Sequence, residues 1–199
     1  MRLLLYFFVI TTITWSQDIN LCGTDFVMKK YRESQKYQNL KKQAFLSQDS
    51  FAASKGGFKI IPVVFHIIHS GDPIGEGENI SVEQINDALR IMNEDFSADN
   101  IDLDNVSTEF EDIVGNGNIE FRLAQLDPSG NCSNGINRIF SEMTDNANDC
   151  VKTLVSWDDT KYLNIWVVKD IDPEIGAAAY TYLPDVWLQQ AHGIIVNHQ

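Results

Sequence analysis

Positive charge is scarce in this 199-residue sequence, since 15 lysines and arginines stand against 28 aspartates and glutamates, for a formal net charge of −13. A phosphate-rich partner requires clustered lysine and arginine, so this balance argues against nucleic acid. The charge does not name another partner, because excess carboxylates serve solubility or calcium binding equally well. The composition is otherwise that of a globular protein, with 44% hydrophobic residues.

Apolar runs long enough to span a membrane are also absent from the sequence. The run Leu3–Ile10 follows Arg2 and is too short to cross a bilayer, so we interpret residues 1–16 as a signal peptide. We therefore expect a secreted or extracellular protein with no membrane association after signal cleavage. Residues 17–57 are polar with few apolar positions and are interpreted as a pro-segment, whereas residues 58–199 contain the main fold.

The common catalytic motifs are missing as well. The sequence has no GxSxG, no Walker loop, no GxGxxG and no HExxH among its four histidines, His66, His69, His192 and His198. His66 and His69 lie three apart on a predicted strand, so they point to opposite faces and cannot share one ion there. We expect one to be buried and hydrogen-bonded. The residues alone predict no catalytic or metal-binding residue.

Only three cysteines are present. In an exported protein two of them should pair, and Cys132 and Cys150 lie in one loop-rich region where a disulfide is predicted. Cys22 is left over, and both an unremarkable thiol and a functional role stay open for it at this point.

Two acidic groups could bind calcium. Asp99, Asp102 and Asp104 form one group, and Asp145 and Asp149 form the other. Neither contains the complete D-x-D/N-x-D/N-G pattern, so a solvated acidic loop is favoured over a calcium site.

Two nearly continuous apolar runs dominate the remaining sequence, Lys59–His69 and Trp157–Lys169. Runs without polar alternation are typical of strands covered on both faces, and the second run is predicted to be the central strand. Between them, Ser81 and Gln84 form a capping box that begins a helix ending near Ala98. The apolar positions at helical spacing are Val82, Ile85, Leu89, Met92 and Phe96.

Three shorter segments complete the predicted sheet. Asn118–Leu126 alternates like a strand near an edge, and Gly176–Leu183 and Gly193–His198 are two more short strands. Asp127–Ser156 is expected to be irregular. The predicted class is α/β, a five-stranded mixed and twisted sheet with one long helix on one face. With no second long helix to cover the other face, the fold is expected to be incomplete at Gln199.

Five blocks of the sequence occur in an order that is typical of one protein family. The blocks are Ile61–His69, Ile80–Phe96, Ile119–Gly130, Asn134–Ile139 and Trp157–Val167. Together they resemble the pappalysin family of metzincin zinc endopeptidases, in particular its cytophagalysin, ulilysin-like branch. The resemblance implies a zincin-like fold in which residues 58–199 form the upper subdomain of a catalytic domain. It also implies a zinc cofactor, a protein or peptide substrate, and peptide-bond hydrolysis by zinc-activated water.

The resemblance also assigns roles to individual segments. Gly176–Leu183 resembles the edge strand along which a substrate peptide lies by strand addition. The segment Leu21–Asp25 resembles the family's CGT motif, which implies that Cys22 is a latency cysteine that occupies the open zinc position. The implied substrate-edge residues are Ala178, Ala179, Tyr180 and Thr181.

The family's zinc motif, HExxHxxGxxH, follows the fifth strand, and it does not occur in these 199 residues. The zinc ligands and the general base are therefore absent from this chain, which we expect to be inactive alone. An alternative interpretation is a non-catalytic secreted module that holds a peptide or calcium through its strand edge or acidic loops. Such a module would have to cover the bare sheet face by dimerisation or with the pro-segment.

Overall fold

The computed structural model describes residues 20–35, 37–39, 42, 57–183 and 192–199. The interpreted signal peptide, residues 1–16, lies outside this range. Within the described ranges, no helix combines the length and the apolar character that crossing a membrane requires.

A seven-stranded sheet organises the described residues, in the order β1-β6-β7-β5-β2-β3, with β4 also paired to β2. Every pair is parallel except β6–β7, so the predicted mixed α/β sheet is confirmed. The strands are β1 Asn20–Cys22, β2 Lys59–His69, β3 Ile119–Leu123, β4 Ile136–Phe140, β5 Leu163–Val168, β6 Ala177–Thr181 and β7 Ile194–Asn197. The sheet is accompanied by the α-helices α1 Thr24–Arg32 and α2 Val82–Ser97 and by short 3-10 helices at Ile101–Asn105, Glu111–Ile113, Glu142–Thr144 and Asp149–Thr153.

The strand predicted to be central is central, because β5 pairs with β2 on one side and β7 on the other. The strand follows a turn, which the turn-like sequence Asp158–Asp159–Thr160 at the start of this stretch indicates. The backbone turns first at Asp158, whose carbonyl accepts from the amides of Lys161 and Tyr162, each at 3.0 Å. Only from Leu163 onward is the chain extended along β2.

Two strands were not predicted, β1 and β4. β4 lies inside the segment expected to be irregular and pairs with Phe65–His69, whereas β3 pairs with the first half of β2. Gly135, just before β4, has a φ of +71°, and a Cβ there would stand 2.8 Å from the Ala124 nitrogen. A glycine therefore lets the chain cross closely from one partner of β2 to the next.

Helix α2 has the predicted capping box, and Ala98 ends it in the left-handed conformation. Its Ile85 is fully buried against the face of the sheet that carries Phe65 and Ile165. Val82 and Phe96 are 42% and 45% exposed, so only the middle of the predicted apolar stripe enters the core.

The opposite sheet face, expected to be bare, is covered in part. Trp166 and Ile195 pack there with Val27 of α1 and with Val151 of the Asp149–Thr153 helix. The periodicity of the main fold could not reveal this cover, since it comes from a short N-terminal helix and from loop segments.

Candidate functional site

The outer edge of β6, predicted to receive substrate, is occupied by β1. The two strands run parallel, with Asn20 opposite Ala177 and Cys22 opposite Ala179. Beyond Cys22 the Gly23 amide donates to the Ala179 carbonyl at 2.8 Å. The structure therefore brings two separately assigned features, the Cys22 segment and the β6 edge, into direct contact.

Gly23 and Thr24 continue this contact past the end of β1. A Cβ on Gly23 would stand 2.6 Å from Ile175 Cγ2, 3.0 Å from Ala177 Cβ and 3.2 Å from Tyr180 Cβ. The Thr24 hydroxyl accepts from the Thr181 amide at 3.3 Å. Only a residue without a side chain fits between the segment and β6 at this position.

The Cys22 side chain is exposed. Hydrogen bonds from the Thr24 hydroxyl, and secondarily from the Thr24 backbone, lower the pKa of the Cys22 thiol, against weaker opposing effects of burial and of Asp25. A lowered pKa increases the thiolate fraction, which is the form that binds metals and attacks electrophiles.

Helix α1 follows at once and packs beside β6. Val27 is 5% exposed and belongs to the core of that sheet face, and Met28 is 2% exposed. Tyr31 stands edge-on to the ring of Tyr182 at a centroid distance of 6.2 Å. A cleft of about 380 Å³ lies between α1 and the residues around Tyr180. Lys30 lines this cleft together with three carboxylates, those of Asp149, Asp172 and Glu174.

Beneath α1 lies a set of residues that we call the Asp149 cluster: Asp149, Lys152, Trp166, Tyr180 and Tyr182. Lys152 is 6% exposed, pairs with Asp149 at 2.9 Å and lies 5.0–5.9 Å from the three ring centroids. Tyr180 and Tyr182 donate their hydroxyls to Asp149 at 3.3 and 2.5 Å. Burial lowers the pKa of Lys152, although Asp149 opposes the change, and burial followed by Asp149 raises the pKa of both tyrosines.

The predicted substrate-edge residues divide into two groups. Ala178 and Ala179 are half-buried in β6. Tyr180 points into the core, where its ring packs with the cluster, and Thr181 Oγ1 donates to the Gly193 carbonyl at 2.9 Å. The last two side chains therefore support the strand, whereas the β6 backbone forms the edge.

The histidines do not converge. His66 is fully buried, with Nε2 2.8 Å from Asn164 Oδ1 and Nδ1 3.1 Å from Asn137 Nδ2, as expected for a hydrogen-bonded core histidine. His192 Nδ1 lies 3.0 Å from an Asp159 carboxylate oxygen. In the part of the chain that the structure describes, no three histidine, cysteine or acidic residues gather to hold a metal ion. These residues do not form a zinc site.

Two carboxylates of the predicted acidic groups bind neighbouring side chains of the protein. Asp145 pairs with Lys169 at 2.8 Å, and Asp102 accepts from the Asn100 side-chain amide. Nothing in this arrangement supports a calcium site.

The predicted disulfide between Cys132 and Cys150 is not part of this structure, in which both thiols are free and exposed. The backbone of Cys132 forms an isolated antiparallel β-bridge with Leu126, just after β3. Cys150 lies in the 3-10 helix whose Asp149 contacts Tyr180 of β6. The shared loop-rich sequence therefore does not place the two cysteines on one local structure.

No protein-family profile matches the chain, and no curated protein matches it either. Among solved structures, a promirolysin mutant from Tannerella forsythia matches with a TM-score of 0.68 and 29% identity, over 89% of this chain and 59% of that chain. Mirolysin in complex with compound 9 matches with a TM-score of 0.61 and 30% identity, over 71% of this chain and 53% of that chain. Mature Tannerella forsythia mirolysin in complex with a cleaved peptide matches with a TM-score of 0.58 and 32% identity, over the same shares.

These neighbours are pappalysin-family metzincin metalloproteases, and the chain has the fold of their catalytic domain. The chain spans between 53% and 59% of the length of the structures it matches. These matches establish the fold of this chain.

Sequence reasoning missed the Asp149 cluster and the strand that precedes Gly23. One signal was available: Asp149 and Lys152 are spaced for one helical face, and Tyr180 and Tyr182 for one strand face. Their meeting depends on the tertiary fold. β1 has only three residues, too few for any periodicity to appear.

Proposed function

We propose that this chain is the N-terminal portion of a secreted zinc metalloendopeptidase precursor, in which the segment containing Cys22 blocks the substrate edge. The observation that carries the proposal is the pairing of β1 with β6, which places Cys22 opposite Ala179. A peptide substrate that adds to the same edge would need the backbone groups that β1 and Gly23 now use. Binding of substrate and docking of the segment are therefore mutually exclusive.

The coverage of the neighbours supports a pro-segment. The match to the promirolysin mutant covers 89% of this chain, and the match to mature mirolysin covers 71%. Residues 58–199, which follow the interpreted pro-segment, are 142 of the 199 residues, or 71% of the chain. This is the same share that mature mirolysin matches. One neighbour holds a cleaved peptide, which supports a peptide substrate for this fold.

Zinc enters the proposal through the neighbours, which are zinc metalloproteases. The described residues of this chain do not fit a zinc site, and the HExxHxxGxxH motif is absent from the 199 residues. The contribution of this chain is the substrate edge and the segment that covers it. We expect no peptide hydrolysis from these residues alone.

The test begins with the coding sequence after codon 199. If an in-frame HExxHxxGxxH helix follows, the continuous product should hydrolyse peptides, lose that activity to a chelator and regain it with zinc. Replacing Cys22→Ser should raise the activity of the unprocessed product at least about tenfold. The matched control is Cys150→Ser, which changes another exposed free thiol. Absence of the motif, or hydrolysis indifferent to the chelator, would refute the proposal.

One observation favours the alternative, a non-catalytic secreted module that binds a peptide. Both faces of the sheet carry packed side chains in the described structure, one under α2 and the other under α1 and the loops. A stand-alone module should therefore migrate as a defined monomer or dimer and unfold in one sharp transition. A catalytic fragment should aggregate and melt over a broad range.

A further inference from the structure

A side chain of helix α2 closes the outer edge of β3. Along β3 the backbone groups alternate between the two sides, and the Asn118 carbonyl and the Ala124 amide bond β2, so Phe121 directs its own groups outward. There Asn93 Oδ1 accepts from the Phe121 amide at 2.7 Å, and Asn93 Nδ2 donates to the Phe121 carbonyl at 3.0 Å. One side chain therefore occupies both groups through which another strand could pair at this position.

Three further contacts hold the end of α2 beside β3. The Phe96 carbonyl accepts from the Gly117 amide at 2.8 Å, and the Ser97 carbonyl accepts from the Asn116 side-chain amide at 2.9 Å. The ring of Phe96 stands edge-on to that of Phe121 at a centroid distance of 4.9 Å. Because carbonyls in the last turn of a helix have no partner within the helix, these bonds satisfy groups that would otherwise need water. The last turns of α2 are therefore fixed along the β3 edge.

The sequence of β3, IEFRL, is complementary to itself in one arrangement. If two copies paired antiparallel about a twofold axis at Phe121, Glu120 of each copy would face Arg122 of the other, and Ile119 would face Leu123. Opposite charges directly across from each other on two strands stabilise the pairing. In the single chain Glu120 and Arg122 bond each other at 2.7 Å. Dimerisation would therefore exchange the partner of each charge without leaving either charge unpaired.

An exposed apolar surface adjoins this edge. Ile60 and Leu126 are 48% and 52% exposed, and they line a groove of about 360 Å³ with Pro62, Arg122 and Tyr162. Arg122 alternates along β3 with the residues that pack under α2, so this groove lies on the other face of the sheet. Two copies joined antiparallel at β3 would form one continuous sheet with both grooves on the same face. Exposed apolar surface of this kind favours association.

We propose that β3 is a latent self-association edge whose partner is a second copy of this chain, and that Asn93 keeps this edge closed. Loss of the Asn93 amide leaves both Phe121 backbone groups without their partner, at an edge that a second copy complements in hydrogen bonding and in charge. The proposal goes beyond the proposed function and does not depend on it. β3 lies at the end of the sheet opposite to β1, and its closure involves neither zinc nor the segment containing Cys22.

Sedimentation velocity of the full 199-residue chain over a range of concentrations tests the proposal. A background of Cys22→Ser, Cys132→Ser and Cys150→Ser excludes disulfide-linked dimers. Asn93→Ala should lower the concentration at which half of the chain is dimeric at least about tenfold. The control is Asn86→Ala, which makes the same change on the exposed side of α2. Equal association of the Asn93→Ala and Asn86→Ala chains would overturn the proposal.

The charge pair of β3 distinguishes pairing at this edge from association elsewhere on the molecule. In the Asn93→Ala chain, Glu120→Lys places like charges across the twofold axis and should weaken dimerisation at least about fivefold. Adding Arg122→Glu exchanges the two charges in both copies and should restore dimerisation. Dimerisation that ignores Glu120→Lys, or that the second substitution does not restore, would count against β3 as the interface and overturn the proposal.

Hydrogen exchange followed by NMR, at a concentration where the chain is monomeric, tests the closure itself. The Phe121 amide should exchange at least about tenfold faster in Asn93→Ala than in Asn86→Ala, because its acceptor is lost. Amides of β5 report whether the main fold is intact. If they also lose protection, Asn93→Ser, which keeps a polar side chain at this position, is compared instead and should change both measurements in the same direction. An unchanged Phe121 rate would mean that Asn93 does not close the edge.

Discussion

At the scale of single residues, His66 shows how a polar group is accommodated at the centre of the sheet. The Asn164 side-chain carbonyl accepts from the Trp157 amide and lies 2.8 Å from His66 Nε2, while the Asn137 side-chain amide donates to Nδ1. Both ring nitrogens are therefore satisfied with a neutral imidazole that carries its proton on Nε2. A buried histidine could be predicted from the strand pattern, but its partners lie on β4 and β5 and depend on the sheet order.

The same network predicts how stability changes with pH. Burial lowers the pKa of His66 to about 4, against a smaller opposing effect of the hydrogen bond to Asn164. Between that value and the ordinary pKa of histidine the unfolded chain binds more protons than the folded chain, so stability falls as the pH falls. Acidification through this window should cost up to about 3 kcal/mol from this group.

Chemical denaturation at several pH values, with the histidine ring followed by NMR, measures this effect. His66→Gln should lower stability at neutral pH, because a partner of Asn164 is changed, yet it should remove this group's contribution to the loss below pH 6.5. A His66 ring that titrates near its ordinary value in the folded protein would contradict the prediction.

At the scale of elements, prediction succeeded where local signals agreed. Helix α2 combines a capping box at Ser81 with an apolar repeat, and β2 matches its apolar run from Lys59 to His69. β4 was missed because its sequence, INRIF, neither alternates nor forms a continuous apolar run. It forms a strand because β3 pairs only with the first half of β2, which leaves the backbone of Phe65–His69 open on that edge. This vacancy depends on the sheet and is not visible in the local sequence.

The start of β7 depends on Gly193 in a way that can be measured. Gly193 has a φ of +116°, and a Cβ there would stand 2.5 Å from Trp166 Cζ3 and 2.6 Å from the Asn164 carbonyl oxygen. Gly193→Ala should therefore lower the free energy of unfolding by about 3 kcal/mol or more. The ring and the carbonyl belong to the central strand and cannot retreat cheaply.

Gly130 provides the matched control, since its φ is +84° but an added Cβ would meet nothing within 4 Å. Gly130→Ala should cost only about 1 kcal/mol, the price of the left-handed backbone alone. Equal losses in the two variants, measured by denaturant unfolding, would show that close packing at Gly193 contributes nothing.

At the scale of the whole molecule, the N-terminal segment and the sheet are one structure. α1 contributes Val27 to the core of the face that the sequence pattern left bare, and β1 occupies one edge of the sheet. The resemblance identified the Cys22 motif and the edge strand separately. Their contact could not be predicted from either, because it follows from the parallel register of β1 on β6.

The arrangement of potential ligands makes a last prediction about metal binding. His66 is buried between two asparagines, the ring of His192 contacts Asp159, and the ring of His198 lies 3.1 Å from the Lys169 carbonyl oxygen. Because no three ligand side chains meet among the described residues, zinc should not stabilise the 199-residue chain. A specific site would add about 2.7 kcal/mol at a zinc concentration 100 times its Kd, which thermal melting resolves readily. We expect no rise in Tm with zinc and no fall with a chelator, whereas the continuous product carrying HExxHxxGxxH should show both. A chelator-reversible rise in Tm of the 199-residue chain would mean that its own residues assemble a zinc site.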